Sequence, residues 1–141
     1  MSPSLRPFEE RDEDAVIALW EACGLTRPWN DPRRDIARKL AVQRELFLVA
    51  VDDDEVIGTV MAGYEGHRGW INYLGVDPSR RGAGTGRALM AEAERLLRER
   101  GCPKISLLVR EGNDAALGFY AALGYGRDAV VPLGKRLVDD A

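Results

Sequence analysis

Glycine at every second position, Gly82, Gly84 and Gly86 within "VDPSRRGAGTGRALM" (76–90), constrains this chain more than any other feature. The run before it, "WINYLGV" (70–76), reads as a strand. After it Leu89, Ala93, Leu96 and Leu97 recur at i, i+4, i+7 and i+8, the spacing of one helical face. Glu94 and Arg98 form an expected solvent-side pair on that helix, and Gly101 ends it. Glycine admits positive φ and close approach of a ligand to the main chain. Its alternation lets successive N–H groups converge into a nest for an anion. The helix start adds unpaired N–H groups and roughly half a positive charge. A bare strand-to-helix turn needs one glycine. Three of them, with Arg80, Arg81 and Arg87 alongside, point to a phosphate or pyrophosphate held at residues 82–87.

The rest of the chain supplies the frame for that turn. "SLRPF" (4–8) is a candidate strand. Asp12 is placed to cap a helix whose apolar face is Val16, Leu19, Trp20 and Cys23 and whose stop is Gly24. "LTRPWND" (25–31) reads as a loop. Asp31-Pro32 then starts a second helix, continued by Ile36, Leu40 and Gln43. "ELFLVAV" (45–51) and "VIGTVMAGY" (56–64), joined by "DDDE", form an antiparallel hairpin, and "EGHRG" turns the chain into the 70–76 strand. "KISLLV" (104–109) is a buried strand. "NDAALGFYAALG" (113–124) is a helix capped by Asn113 and stopped by Gly124, and "YGRDAVVPLGKRLV" (125–138) closes with one or two strands. A helix between the 70–76 and 104–109 strands implies a parallel crossover. The expected fold is therefore α/β: one domain over residues 1–141, with a mixed sheet carrying helices on both faces.

Charge and composition narrow the partners. A net charge of −3 argues against nucleic acid and makes the arginines of the glycine turn a local positive feature, suited to a small anionic ligand. One histidine and two cysteines without a CxxC spacing leave no metal site of the usual kind. Cys23 and Cys102 read as buried thiols of a reducing compartment. "LFLVAV" (46–51) falls far short of the roughly 20 apolar residues of a membrane span, and "MSPSLRPFEERDED" has no apolar signal region, so a cytoplasmic location and no membrane partner are expected.

Both common nucleotide signatures fail. No Lys-Ser/Thr pair follows the glycines, and the third glycine, Gly86, falls one residue early for GxGxxG, with Arg87 in its place. The stretch instead resembles the acetyl-CoA signature R/Q-x-x-G-x-G/A of the GNAT superfamily of N-acetyltransferases, in Arg81-x-x-Gly84-x-Gly86. "NDAALGFYAALGY" (113–125) resembles that family's second signature, an Asn, a Phe-Tyr pair and a Gly-Tyr/Phe. The order strand, two helices, three antiparallel strands, helix, strand, helix, strand is also similar to the GNAT fold. "GYEGHRGW" and "VVPLGKRL" resemble the bacterial YpeA-like branch.

The resemblance implies a function and a set of site residues. It implies acetyl-CoA as co-substrate, its pyrophosphate on Gly82, Ala83, Gly84, Thr85, Gly86 and Arg87, with Arg81 opening the motif. It implies that the 70–76 strand is splayed from the next one by a bulge and that its backbone at Leu74, Gly75 and Val76 pairs with the pantetheine arm and holds the oxyanion. Asn113 is implied as a cofactor contact and Tyr120 as the acid that protonates the leaving thiolate. The resemblance also implies direct attack by the amine in a ternary complex. The base stays open: ribosomal-protein acetyltransferases carry a glutamate where this chain has Leu108. Glu65, His67, Glu111 or a water on backbone carbonyls are the candidates, and His67 has the unperturbed pKa nearest neutrality. The acceptor, a small-molecule or peptide amine, is expected between residues 24–31, the 64–70 turn and the C-terminal strands, with Trp29 and Trp70 as walls and Glu65 or Asp31 attracting a cation. Pairing of C-terminal strands would give a homodimer. A non-catalytic acyl-CoA-binding module on the same fold is the alternative reading.

Overall fold

The computed structural model describes residues 3–140. The elements run β1 (Ser4–Pro7), α1 (Glu13–Ala22), α2 (Pro32–Leu40), β2 (Phe47–Asp52), β3 (Glu55–Tyr64), β4 (Gly69–Val76), α3 (Thr85–Glu99), β5 (Ile105–Leu107) and α4 (Asp114–Ala122). The five strands form one sheet in sequence order. All neighbours are antiparallel except β4 and β5, which are parallel. This is the mixed α/β sheet the sequence predicts.

Local chemistry explains most boundaries. Asp31 accepts hydrogen bonds from Arg33 N and Arg34 N with Pro32 at the first position of α2, a cap that contributes about 1 kcal/mol. The β2–β3 hairpin turns on Asp53 and Asp54, both at positive φ (50° and 63°), as a two-residue turn matched to strand twist requires. Helix α3 buries Leu89, Met90, Ala93 and Leu97 against Leu48, Val60 and Ile71 on one face of the sheet. Helices α1 and α2 cover the other face, where Trp20 and Ile36 meet Phe47, Val49 and Met61. Residues 47–50 are buried without a break because both faces of β2 are covered.

Two irregularities in β4 shape the space around it. Thr59 pairs with Gly75 and Met61 with Asn72, so Val60 alone opposes Tyr73 and Leu74. Tyr73, at φ 51°, takes up the extra residue as a bulge. In addition, β4 pairs with β5 only from Gly69 to Ile71; beyond Ile71 and Leu107 the two strands part.

Several local expectations are corrected. Helix α2 ends at Leu40; Gln43 lies beyond it at φ 54°, and its amide both accepts from Tyr64 N and donates to Tyr64 O. Asp12 makes no cap bond to α1, because its carboxylate is taken by Glu9 N and by Arg6. Glu94 accepts from the Tyr125 hydroxyl at 2.6 Å rather than pairing with Arg98, while Arg95 takes Glu92 and Glu99. Cys23 and Cys102 are half-buried. No strand follows α4 among the described residues. Gly126, Pro132 and Gly134 interrupt that run, and the three-residue β5 offers little edge to pair with. Side chains anchor this segment instead: Asp128 to Lys104, Arg136 to Asn30, and Asp140 to Arg34 and Arg38.

Candidate active site

The parting of β4 from β5 opens a cavity of about 670 Å³. Leu74 lines it from β4, Leu108 and Val109 from the chain after β5, Asn113 and Tyr120 from the start and middle of α4, and Leu25 and Asp35 from the α1–α2 side. Residues named from the sequence for cofactor and chemistry thus share one space: Leu74, Asn113 and Tyr120.

The glycine turn leads from the end of β4 into α3. Gly82 and Gly84 sit at φ 86° and 85°, a conformation side chains rarely adopt, with nothing within 4 Å of where a Cβ would stand. The open space leaves the backbone approachable, so conformation rather than crowding requires glycine there. Gly84 is the N-cap of α3, and neither a side-chain cap nor an acidic first-turn residue satisfies the leading N–H groups. A Cβ on Gly86 would stand in ordinary contact with the Phe119 ring at 3.4 Å, so α4 packs directly on the first turn of α3. Arg81 Nε donates to Val76 O at 3.2 Å, which folds the turn back onto the end of β4. Arg80 is committed to Asp52 and Glu55 in ion pairs and serves the fold. Ala83, Thr85 and Arg87 complete the contiguous turn, Thr85 being buried. Gly75 is needed for packing: a Cβ would stand 3.0 Å from Leu25 Cδ1 and 3.3 Å from Cys23 Sγ. The Val76 carbonyl accepts from Cys23 as well as Arg81.

Tyr120 is half-buried between Phe119 and Tyr125, both edge-on, with ring centroids 5.2 and 5.7 Å away. Burial pushes its phenol up to about 12, so the hydroxyl keeps its proton through the neutral range. No described residue takes a hydrogen bond from it, which leaves it available to whatever occupies the cavity. Asn113 uses Oδ1 to cap α4 through Ala116 N at 3.0 Å.

The structure does not bring Glu65 and His67 to this cavity. Both lie in the β3–β4 turn, where the Glu65 carboxylate accepts from His67 N and Arg68 N and is held below the usual carboxylate range by those two bonds. Glu111 is also absent from the lining, and so are Trp70 and the 64–70 turn. Trp29, 46% exposed, lines an adjoining cavity with Arg38 and residues 134–138. Asp31 is spent on its helix cap.

Sequence reasoning missed Asp35 and Tyr73. The bulge carries Tyr73 over Trp20, with ring centroids 3.8 Å apart, and its hydroxyl donates to Asp35 Oδ2 at 2.6 Å. Thr59 fixes the bulge: its hydroxyl accepts from Trp20 Nε1 at 2.9 Å and donates to Tyr73 O at 2.8 Å. Burial and the Asp35 carboxylate raise the Tyr73 phenol well above its ordinary value. Asp35 is the one carboxylate among the lining residues. Lys39, Arg27, Arg38 and Arg110 also line the cavity and carried no sequence signal. Burial lowers the Lys39 ammonium, which donates to Ala62 O. Among the described residues no group of three or more Cys, His, Asp or Glu is arranged to hold a metal.

Comparison with known proteins matches this architecture. The family described as acetyltransferase (GNAT) matches residues 10–125. An acetyltransferase of Pectobacterium atrosepticum is 53% identical over 136 residues, covering 96% of either chain. Among solved structures, Ard1 from Thermoplasma volcanium is 26% identical with a TM-score of 0.80, over 92% of this chain and 86% of that one. The PaiA N-acetyltransferase of Thermoplasma acidophilum, solved with coenzyme A, shares the fold at 20% identity and TM-score 0.74, over 93% and 94% of the two chains.

Proposed function

The chain belongs to the acetyltransferase (GNAT) family, and on that footing we propose that it moves the acetyl group of acetyl-CoA to a primary amine by direct attack in a ternary complex. The observation that carries this reading is the shared cavity. Leu74 and Tyr120, whose hydroxyl no described residue engages, line one space at the splay of β4 and β5, and α3, which packs on α4 at Gly86, starts with uncapped N–H groups.

The pyrophosphate sits on the backbone of Gly82 to Arg87, with Arg81 and Arg87 adding charge. The pantetheine arm runs along Leu74 to Val76, and an N–H of that stretch meets the thioester carbonyl. The nitrogen lone pair forms the new N–C bond, the oxyanion collapses, and the C–S bond breaks. Tyr120 donates its hydrogen bond to the departing sulfur. With its phenol near 12, full proton transfer to a thiolate of pKa about 8.5 is uphill by roughly 5 kcal/mol, so the phenol stabilises the developing charge while solvent completes protonation. The proton released by the amine passes to Asp35, directly or through the Tyr73 hydroxyl bound to it. Asn113 orders the start of α4 beside the cofactor. A cytoplasmic location completes the reading drawn from the sequence.

The test is acetyl-CoA binding and turnover. Acetyl-CoA at 100 times its Kd is expected to stabilise the protein by about 2.7 kcal/mol, and a panel of amines to release free thiol above the hydrolysis rate. Stabilisation without turnover would favour the acyl-CoA-binding module; no stabilisation would overturn both.

A further inference from the structure

The wall facing the acceptor side of the cavity is basic in a chain that is net acidic. Arg27, Arg38, Lys39 and Arg110 line it against Asp35 alone, although the chain carries 23 acidic and 20 basic residues. Elsewhere arginines such as Arg6, Arg33, Arg80 and Arg95 are closed off by carboxylates. Within the cavity Arg38 is likewise occupied by Asp140 and Asp35, and Lys39 by a backbone carbonyl. Arg27 and Arg110 are not. Arg27 touches only the carbonyls of Gly24 and Thr26, both at 2.8 Å, and no carboxylate among the described residues pairs with it. Arg110 rests its guanidinium 5.8 Å from the ring centroid of Trp29, two residues along from Arg27, and has no acidic partner among the described residues either. The two segments that carry these cations therefore meet beside the cavity, and Lys135 and Arg136 extend the basic wall into the adjoining one.

We propose that the acceptor is a primary amine bearing a carboxylate, held by Arg27 and Arg110; this rests on the acetyl-transfer reading above. A guanidinium offers a carboxylate two parallel donors, and an unpaired one beside a cavity is the complement of an anion. The same wall repels polycationic amines. It also acts on the reacting nitrogen, because nearby positive charge disfavours the ammonium form and lowers its pKa. A peptide's α-amine near 8 then loses its proton more readily than a lysine-type amine near 10.4, or than a free amino acid whose own carboxylate favours the ammonium. A carboxylate-bearing α-amine therefore fits a site where Leu108 stands in place of a carboxylate and Asp35 is the one acid present.

The test compares matched acceptors with saturating acetyl-CoA, following thiol release. Each α-amino acid is set against its decarboxylated amine and its carboxamide. Short peptides with an acidic or neutral second residue separate a free amino acid from a peptide as source. A carboxylate-bearing acceptor is expected to exceed its decarboxylated partner at least tenfold in kcat/KM. That ratio should collapse toward one in Arg27→Gln and in Arg110→Gln, through KM rather than kcat. Arg110→Gln breaks no intramolecular ion pair and so guards against a folding loss in Arg27→Gln. Preference for the decarboxylated or polycationic amine, or an unchanged ratio in both variants, overturns the proposal. If nothing turns over, calorimetric titration of the same panel into the CoA-bound protein decides. Carboxylate-selective binding lost in the variants upholds this inference while the transfer reading fails; the absence of selective binding overturns it whatever acetyl-CoA does.

Discussion

Tyr120 and Gly84 carry the two sharpest single-residue predictions. Removing the Tyr120 hydroxyl leaves the ring packing between Phe119 and Tyr125, so Tyr120→Phe should keep its fold and its acetyl-CoA affinity. Its kcat should fall roughly 100-fold, the scale of one hydrogen-bond donor aimed at developing charge. Unchanged turnover in stopped-flow thiol release would remove Tyr120 from the chemistry. Gly84→Ala meets no neighbouring atom, so its cost is the left-handed backbone alone, about 1–2 kcal/mol. Calorimetry should show a Tm lower by several degrees and loss of the shift given by acetyl-CoA; an intact shift would contradict the cradle. Both residues were legible in the sequence because each belongs to a short motif with fixed spacing. Asp35 was not, because a carboxylate in the first turn of a helix reads as an ordinary helix-start residue until the fold shows what lies opposite it.

At the scale of elements, one extra residue in β4 shapes the wall of the cavity near Asp35. The bulge turns Tyr73 toward α2 and stacks it on Trp20, so a sheet irregularity joins a core tryptophan to the Asp35 carboxylate. Asp35→Asn is nearly isosteric and can still accept from Tyr73. The expected outcome is roughly a 100-fold fall in kcat with acetyl-CoA stabilisation retained; wild-type kcat would send the amine proton elsewhere. The five strands and four helices were readable from periodicity, caps and glycine stops, most within about two residues. The bulge was legible only through the family resemblance, since it changes pairing without changing the apolar pattern of the strand. The expected C-terminal strands failed for a related reason: apolar residues at 130, 131, 133, 137 and 138 suggested pairing, but β5 ends after three residues and all five side chains stay exposed.

For the whole molecule, the division of charge matters more than its sum. The proposed cofactor site could be named from the sequence because phosphate recognition rests on a contiguous stretch of main chain. The proposed acceptor site draws its basic residues from four places, the α1–α2 loop, α2, the chain after β5 and the C-terminal segment, and only folding gathers them. Stability against pH is likewise a property of the ensemble. Tyr73, Tyr120 and Tyr125 all have phenols raised chiefly by burial, with Asp35 and Glu94 adding to the first and last. Above pH 10 the unfolded chain sheds these protons while the folded chain retains them. Stability is therefore full below about pH 10 and falls as pH climbs toward 12. Denaturant titrations from pH 8 to 11.5 should show a midpoint that is flat and then declines. A midpoint rising through that window would contradict the burial of these side chains.

The contact between Arg110 and Trp29 also gives the molecule an optical reporter. Of the three tryptophans, Trp20 is wholly enclosed while Trp29 and Trp70 face solvent, so emission divides into a blue component and a red one that iodide can reach. A carboxylate that draws the Arg110 guanidinium off the indole face changes the red component and leaves the blue one alone. Acceptor binding then becomes visible as a colour change in the unlabelled protein, before any substrate has been turned over.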